Sequence, residues 1–425
     1  MSITSARSFR RGARHDGVRR VRSRERGHAR GESSRGFHGY DARATPPAPR
    51  SLRALDVSHP RADGRVVDRH PLFRHPVFPP PPLAGRKASD EDKPWKRAPK
   101  KTPSKVKVVP AESLLAANCD DDGPPQVSLV VASVSRAGAD PSAKKPNQDA
   151  CAAHPRDFAT TSGAFFSVLD GHGPAGHHVA RLARERIPGW LVEDPARRAL
   201  LRDDPSAALR RAFVAVDAEL TDSGIDVQLS GAAVVACHIR GRRLTTAWVG
   251  DCRAVLGRES DGVVSAVALT KDHRPDDAEE RARVEKMGGR VAAMLDGLDD
   301  DGKPLEVGPP RVWQSRAWVP GLAMSRSVGD AVARALGVVA EPSVDGPRLV
   351  DEDDRFLIIA SDGVWEHVSN DEAVMIAAAC DGPEEAAEKI ADEANERWRK
   401  EEGSSDDVTV VVVAFARGAG AGGGA

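Results

Sequence analysis

The sequence predicts an α+β domain in which antiparallel β-sheets carry helices on their outer faces. Three observations favour this class. Short β-branched apolar segments outnumber segments with helical periodicity, the helical segments occur in pairs, and Gly-Arg and Asp-Gly turns join consecutive strands. A repeating strand–helix–strand unit would instead alternate the two patterns and build a parallel sheet. We therefore expect antiparallel strands with the helices grouped outside them.

The strands follow from short apolar runs that lie between turn-forming residues. We predict strands at 127–134, 164–169, 232–239, 244–249, 263–269, 356–360 and 408–415. The run at 164–169 ends abruptly in an acid, two glycines and a histidine. We expect the segment 296–310 to be a loop.

The helices follow from apolar residues that recur at intervals of three and four. We predict helices at 175–192, 276–287, 371–380 and 383–401, and one that begins at Asp204. Asp204 can cap its helix, and Pro205 suits the first turn. Gly288 and Gly289 close the charged helix at 276–287.

Charge and composition divide the chain into three parts. Residues 1–110 contain 27 Lys and Arg against 10 Asp and Glu, so the rest of the 425-residue chain is net acidic. The part at 1–124 is rich in Arg and Pro and poor in periodic apolar residues, which predicts disorder. We predict a folded domain at 125–416 and a disordered Gly/Ala tail at 417–425. An acidic folded domain suits the binding of divalent cations.

The basic N-terminal part is open to three interpretations. Its first 30 residues are rich in Arg and Ser, which is typical of an organellar transit peptide, although two acids weaken that interpretation. The pairs Lys96-Arg97 and Lys100-Lys101 are typical of a nuclear address or of a patch that binds anionic surfaces. The third interpretation is a solvated tail that nothing recognises.

The remaining composition argues for an intracellular protein without a membrane span. No apolar run reaches 18 residues, and the N-terminus lacks the apolar core of a signal peptide. The five cysteines are scattered without a CxxC pair, which argues against a zinc knuckle or a disulfide framework. We expect a monomer in the cytoplasm or nucleus, with the chloroplast or mitochondrion as the alternative. We expect no sequence-specific nucleic-acid binding, because the basic part lacks interleaved aromatic residues.

Several acids stand at the edges of apolar runs. An Asp at the end of a buried strand costs free energy unless a cation meets it. If such strand ends converge, their carboxylates repel each other unless hard cations such as Mg²⁺ or Mn²⁺ lie between them. Two such ions can lower the pKa of a water and so prepare it for phosphoryl transfer. The alternative is a set of unrelated Asp-containing turns. Five segments share this design: Asn147-Gln148-Asp149, Leu169-Asp170-Gly171, Val328-Gly329-Asp330, Ser361-Asp362-Gly363 and Asp406-Asp407-Val408.

These acidic segments belong to a longer ordered series of motifs. In chain order the series comprises Asn147-Gln148-Asp149, Asp170-Gly171-His172-Gly173, Ser230-Gly231, Val249-Gly250-Asp251-Cys252-Arg253-Ala254, the stretch 321–330, Ser361-Asp362-Gly363-Val364-Trp365 and Asp406-Asp407-Val408-Thr409-Val410. The series resembles that of the PP2C-type (PPM family) metal-dependent protein Ser/Thr phosphatases, above all their plant and green-algal members. The resemblance covers roughly residues 127–416.

The resemblance implies a four-layer α/β/β/α sandwich of two antiparallel sheets flanked by helix pairs. It also implies two Mn²⁺ or Mg²⁺ ions at the sheet edge, with Asp170 bridging both ions and Asp149 acting directly or through a bound water. A third ion would lie near Asp251. The implied metal ligands are the carboxylates of Asp149, Asp170, Asp330, Asp362 and Asp406 and the carbonyl oxygen of Gly171.

The same resemblance implies an activity and a substrate class. The enzyme would hydrolyse phosphoserine and phosphothreonine in phosphoprotein substrates by direct attack of a water activated at the metal centre. His172 would protonate the leaving alkoxide, because an imidazole titrates close to neutral pH. Asp170 and His172 are therefore the expected catalytic residues.

Three positions depart from the family pattern. Gln148 stands where many members have Glu, Lys144 stands where a phosphate-binding Arg is usual, and Asp407 replaces the amide of an Asp-Asn pair. Lys144 supplies charge for phosphate but lacks the bidentate fork of Arg, and Arg136 is an alternative phosphate ligand. These departures keep a second function open, that of a pseudophosphatase that acts as a regulatory binding module.

Two other motifs are interpreted structurally. Cys237 and Arg243 match the C-x5-R signature of cysteine-dependent phosphatases, which needs a phosphate loop that leads into a helix. The residues that follow, 244–249, predict a strand, so we expect a hairpin. The segment 297–304 has the outline of a phosphate-binding loop, but its three acids would repel phosphate.

Overall fold

The computed structural model describes residues 127–139, 146–298 and 302–416. The predictions for 1–124, for Lys144 and for the tail at 417–425 concern residues outside these ranges. In chain order the strands are β1 (Ser128–Arg136), β2 (Ala150–His154), β3 (Gly163–His172), β4 (Gly231–Arg240), β5 (Arg243–Val249), β6 (Arg253–Ser260), β7 (Val263–Ala268), β8 (Gly289–Leu298), β9 (Pro304–Gln314), β10 (Pro320–Leu322), β11 (Val328–Gly329), β12 (Ser343–Leu349), β13 (Asp354–Ala360) and β14 (Val408–Ala416).

Three of the described helices, α2, α3 and α7, start after a residue whose side chain caps them. Asp204 accepts the backbone N–H of Ala207 at 2.9 Å, and Pro205 begins the helix, as predicted. Ser369 and Glu372 form a reciprocal capping box at another helix. In chain order the helices are α1 (Gly176–Glu193), α2 (Pro195–Asp203), α3 (Pro205–Asp222), α4 (Ala278–Lys286), α5 (Ala331–Arg334), α6 (Asp362–Trp365), α7 (Asn370–Ala378) and α8 (Pro383–Glu401).

Two antiparallel sheets form the centre of the domain. The first has the spatial order β1-β14-β13-β6-β7, and the second has the order β12-β5-β4-β3-β2 with β11 added against β4. A separate three-stranded sheet has the order β10-β9-β8. All the pairings between these strands are antiparallel, which confirms the predicted direction.

Strand alternation divides the apolar residues among three cores. Along β3, Phe166 faces the core between the two sheets, whereas Phe165 faces the core beneath helices α1 to α3. Along β14, Val411 faces the core between the sheets, whereas Val412 faces the core beneath α7 and α8. Successive side chains of a strand point to opposite faces, so both sheets are buried on both sides. The predicted four-layer α+β class is confirmed.

The structure corrects several details of the predicted elements. The segment 296–310 belongs largely to the antiparallel pair β8–β9 and is not a simple loop. Strands β2, β6, β10, β11 and β12 and helices α2, α5 and α6 were not predicted. Strand β3 continues to His172, so Asp170 lies within the paired strand, opposite Ala233 of β4. The β4–β5 hairpin at Cys237 is as predicted, with Cys237 opposite Thr246. Among the described residues, no helix is both long and apolar enough to cross a membrane.

Candidate active site at the sheet edge

The acidic segments meet where the two central sheets end. Asp149 immediately precedes β2, and Asp362 follows the end of β13. Ser361 joins the two sheets, because its hydroxyl donates to Asp149 Oδ2 at 2.7 Å and accepts the backbone N–H of Thr409 at 3.1 Å. The loop before β2 and the end of β13 are therefore in direct contact at this edge.

Asp170 and Gly171 occupy the end of β3, close to the loop before β2. The backbone N–H of Gly171 donates to the carbonyl of Gln148 at 3.2 Å. A Cβ atom at Gly171 would lie 2.4 Å from the carbonyl oxygen of Gly176, so no larger residue fits there. The glycine thus allows the start of α1 to approach the acid directly.

The acids at this edge are held in an environment that opposes their charge. Burial raises the pKa of Asp170 well above its usual range, and the nearby charges of Asp362 and Asp149 raise it further. Burial also raises the pKa of Asp149 to about 7, against the hydrogen bond from Ser361. Burial and the charge of neighbouring acids raise the pKa of Asp362 to about 6 and that of Asp251 to about 7.

Three of these carboxylates keep a buried oxygen without a hydrogen-bond partner. The atoms are Oδ1 of Asp149, Oδ1 of Asp251 and Oδ1 of Asp362. Buried polar atoms are normally satisfied, so each exception calls for an explanation, such as a bound water, an ion or a catalytic role. A hard divalent cation supplies what carboxylate oxygens at such an edge lack.

The positions of the candidate ligands are less favourable to a metal ion than their chemistry. Within the described residues, no group of three or more His, Cys, Asp or Glu side chains is arranged so that it could hold a metal ion as it stands. The donor chemistry still fits Mg²⁺ or Mn²⁺, because every candidate side chain offers oxygen and three of them have unsatisfied oxygens.

His172 is tied to Asp330 rather than to the other acids. Its Nε2 lies 2.7 Å from Asp330 Oδ2, and its Nδ1 is buried without a partner. Ser327 Oγ donates to the same Asp330 oxygen at 2.6 Å. Burial lowers the pKa of His172, but the charge and hydrogen bond of Asp330 outweigh it and the net shift is upward.

Two of the departures from the family pattern have structural roles. The Asp407 carboxylate accepts the backbone N–H of Gly138 at 2.6 Å and that of Gln148 at 2.9 Å. The Gln148 side chain donates its Nε2–H to the carbonyl of Gly173 at 2.8 Å. Asp407 therefore fixes the loop that carries Asp149, and Gln148 ties that loop to the turn after β3.

Arg136, the alternative phosphate ligand, is engaged elsewhere in the structure. The guanidinium of Arg136 is ion-paired with Glu388 and Asp392 on α8. It is therefore engaged by a helix of the outer layer, and the prediction for Lys144 stays a prediction.

Sequence reasoning missed several residues that hold the site. Ser327 and Ser361 lie inside the recognised motifs, but the sequence analysis assigns no role to them. Asp217 of α3 and Glu280 of α4 were not singled out. Asp217 did carry a signal, because it is an acid on a helix face whose neighbours Phe213 and Leu220 are apolar.

A family model described as protein phosphatase 2C matches residues 136–403. The chain belongs to the protein phosphatase 2C family. This confirms the identification made from the motifs, and it supports the predicted enzyme class, a protein Ser/Thr phosphatase. The family is metal-dependent in general, and its phosphatases act on phosphoproteins.

Curated relatives and solved structures agree with this membership. "Probable protein phosphatase 2C 35" of Arabidopsis thaliana is 33% identical over 299 residues, which span 68% of this chain and 84% of that protein. "Probable protein phosphatase 2C 12" of rice (Oryza sativa subsp. japonica) is 34% identical over 300 residues, 60% of this chain and 74% of that protein.

The similarity to solved structures concerns the fold. A crystal structure of a serine-threonine phosphatase 2C from Toxoplasma gondii superposes with a TM-score of 0.56 at 21% identity, covering 69% of this chain and 98% of the other. A sex-determining protein of C. elegans superposes with a TM-score of 0.53 at 22% identity, covering 72% of this chain and 69% of the other.

Proposed function

We propose that this protein phosphatase 2C hydrolyses phosphoserine and phosphothreonine at a centre of two Mn²⁺ or Mg²⁺ ions. The observation that carries the proposal is the set of buried, unpartnered carboxylate oxygens on Asp149, Asp251 and Asp362. A buried acceptor without a partner costs about 1–3 kcal/mol, and a bound cation would offset that cost.

The proposed metal ligands are oxygen donors that stand at or beside strand ends. The ions would lower the pKa of a water and neutralise charge on the phosphate. The residues proposed to hold them are Asp149, Asp170, the carbonyl of Gly171, Asp330, Asp362 and Asp406. Asp251 is proposed for a third, weaker ion, because its Oδ1 is buried without a hydrogen-bond partner.

The proposed role of His172 is to hold a proton and deliver it to the leaving alkoxide. Asp330 accepts at Nε2, which leaves Nδ1 as the ring atom free to donate. Asp330 also favours the protonated ring through its charge. A serine or threonine alkoxide is a poor leaving group, so proton donation at this step speeds its departure.

The alternative function is a pseudophosphatase that binds phosphoproteins without turnover. Gln148 and Asp407 do not favour it, because both make hydrogen bonds that build the site. Lys144 keeps the alternative open, since Lys offers charge without the fork of Arg.

The test is hydrolysis of a phosphothreonine peptide by the full chain with Mn²⁺, with Mg²⁺ and with EDTA. We expect turnover with either ion and none with EDTA. Activity that survives EDTA would contradict the metal-dependent mechanism. Metal binding without turnover in the wild type, with turnover restored in Lys144→Arg, would establish the pseudophosphatase instead.

A further inference from the structure

Asp217 is an anomaly on helix α3. Only 8% of the residue is exposed, and it lies beside Val216 and close to Phe213 and Leu220, which form the apolar face of the helix. Carboxylates are rarely so buried unless they are paired, because a buried charge costs several kcal/mol. Its position therefore calls for a reason other than packing.

The partners of Asp217 belong to the segment that carries Asp330. Its Oδ1 accepts the backbone N–H of Gly329 at 2.9 Å and also the Nη2 of Arg334. The same Nη2 donates to the carbonyl of Gly329 at 2.8 Å. Asp217, Arg334 and Gly329 thus form a closed ring of hydrogen bonds. This ring fixes both the N–H and the carbonyl of Gly329.

The Gly329–Asp330 turn that these hydrogen bonds hold has a backbone conformation that the chain does not favour by itself. Gly329 has a φ of 88°, and the next residue, Asp330, has a φ of 49°. For a residue with a Cβ atom the left-handed region is disfavoured, and it persists only when the surrounding structure holds it. The turn also leaves no room for a side chain at Gly329, since a Cβ atom there would lie 2.6 Å from the carbonyl oxygen of Ser230.

The orientation of Asp330 decides where its carboxylate points. Its Oδ2 meets both Ser327 Oγ and His172 Nε2, at 2.6 and 2.7 Å. A Cβ on Gly231 would lie 2.1 Å from that oxygen, so the carboxylate sits in a tight slot. A small rotation of the turn would break the contact with His172.

We propose that Asp217 is a positioning residue that locks the Gly329–Asp330 turn and so aims Asp330 at His172. The proposal deepens the proposed function, because it rests on His172 as the proton donor. Asp217 itself lies behind the turn and touches no reacting atom. Its effect on catalysis passes through the backbone of Gly329.

The first test concerns the lock alone and uses the metal-free full chain. Hydrogen–deuterium exchange followed by mass spectrometry is read at peptides that span 325–334, in the wild type and in Asp217→Ala. We expect exchange at Gly329 to be about tenfold faster in the variant, while α3 stays protected. Unchanged protection of 325–334 in Asp217→Ala would overturn the proposal.

Two further variants make that test selective. Asp217→Asn keeps an oxygen that accepts from Gly329, so we expect it to restore most of the protection. Glu219→Gln removes a charge from the same helix but from an ion pair with Arg186, so we expect wild-type exchange at 325–334. If Asp217→Ala does not fold, Arg334→Met opens the other side of the ring and carries the same expectations.

The second test asks whether the lock serves proton donation. Initial rates with Mn²⁺ are compared for a phosphothreonine peptide and for p-nitrophenyl phosphate, whose leaving group needs no proton. We expect Asp217→Ala to lose roughly tenfold or more in kcat on the peptide but less than about threefold on the aryl ester. Equal losses on both substrates would show a merely structural role and overturn the proposal.

The two tests separate the two hypotheses. A wild type that hydrolyses neither substrate would refute the proposed function, while the exchange measurement would still decide whether Asp217 holds the turn. A wild type that hydrolyses both substrates, with no change of their ratio in the variant, would refute the positioning role alone.

Discussion

The buried acids at the sheet edge and the buried acids on the helices differ in whether their oxygens have partners. At the edge, Asp149, Asp251 and Asp362 each keep an oxygen without a hydrogen-bond partner, and burial raises their pKa values. On the helices, Asp217 and Glu280 are ion-paired with arginines, although burial raises the pKa of Asp217 as well. Both groups are protected from water, so burial by itself does not distinguish a binding site from a structural clamp. What distinguishes the two groups is whether the carboxylate oxygens lack hydrogen-bond partners.

Glu280 illustrates the satisfied group. Its carboxylate accepts from Arg283 at 2.6 and 2.9 Å, from Arg326 at 2.6 Å and from Ser325 at 2.5 Å. Burial raises the pKa of Glu280, but these hydrogen bonds outweigh it and hold the pKa well below its usual range. The clamp fixes α4 against the segment that leads to Asp330.

The largest expected effect comes from an edge acid. Asp170→Asn should lower the hydrolysis of a phosphothreonine peptide with Mn²⁺ by on the order of 10³-fold, because the amide loses the charge that attracts cations. The control is Asp353→Asn, a half-exposed acid that immediately precedes β13, at the end of the strand opposite to Asp362. Less than a tenfold loss in Asp170→Asn would place the essential carboxylates elsewhere.

A helix acid should affect stability more than activity. Glu280→Gln should lower the free energy of unfolding by about 3 kcal/mol at pH 7, since it leaves two arginines without their charged partner. Glu279→Gln changes an exposed neighbour on the same helix and should cost less than about 0.5 kcal/mol. The contribution of Glu280 is complete above its unfolded pKa and is lost as the pH falls below about 4.5. Urea unfolding at pH 7 and pH 3.5 checks both statements.

Replacing an acid at the sheet edge should raise, rather than lower, the free energy of unfolding of the metal-free protein. The folded pKa of Asp251 is about 7, above its unfolded value of 3.8, so the folded state binds more protons between these values. Its carboxylate therefore destabilises the metal-free protein increasingly as the pH rises towards 8. Asp251→Asn should raise the unfolding free energy at pH 8 by on the order of 2 kcal/mol, and by less at pH 5. A lower unfolding free energy of Asp251→Asn at pH 8 would contradict the proposed difference between the edge acids and the helix acids.

The smallest expected effect concerns Asp407, an edge acid that behaves like a helix acid. Asn offers one acceptor oxygen, so Asp407→Asn leaves either Gly138 or Gln148 without its bond. We expect a loss of about 1 kcal/mol in urea unfolding of the metal-free protein. A gain in stability would mean that charge repulsion at this position outweighs the two backbone hydrogen bonds.

The sequence predicted the layers better than the fine structure of the site. The nearly continuous apolar runs at 408–415 and 164–169 are local patterns, so the strands and their burial could be predicted from them. The pair β8–β9 was missed because its strands at 289–298 and 304–314 carry many exposed side chains. Such strands lack the continuous apolar run that marks a buried strand.

The acids of the site were predictable, but their partners were not. Asp170 and Asp362 stand beside glycine at the ends of apolar runs, which the sequence displays. The contacts of Ser361 with Asp149 and of Asp217 with Gly329 join residues more than 100 positions apart. No local pattern encodes such contacts, because they depend on how the sheets and α3 pack.

The most direct test of the account is calorimetric titration of Mn²⁺ into the metal-free full chain. The account predicts two or three bound ions per chain in the wild type, and weaker binding with fewer ions in Asp170→Asn. Glu280→Gln, measured where it is folded, should bind as the wild type does. Absence of Mn²⁺ binding to the wild type would contradict the claim that the unpartnered carboxylates at the sheet edge form a metal centre.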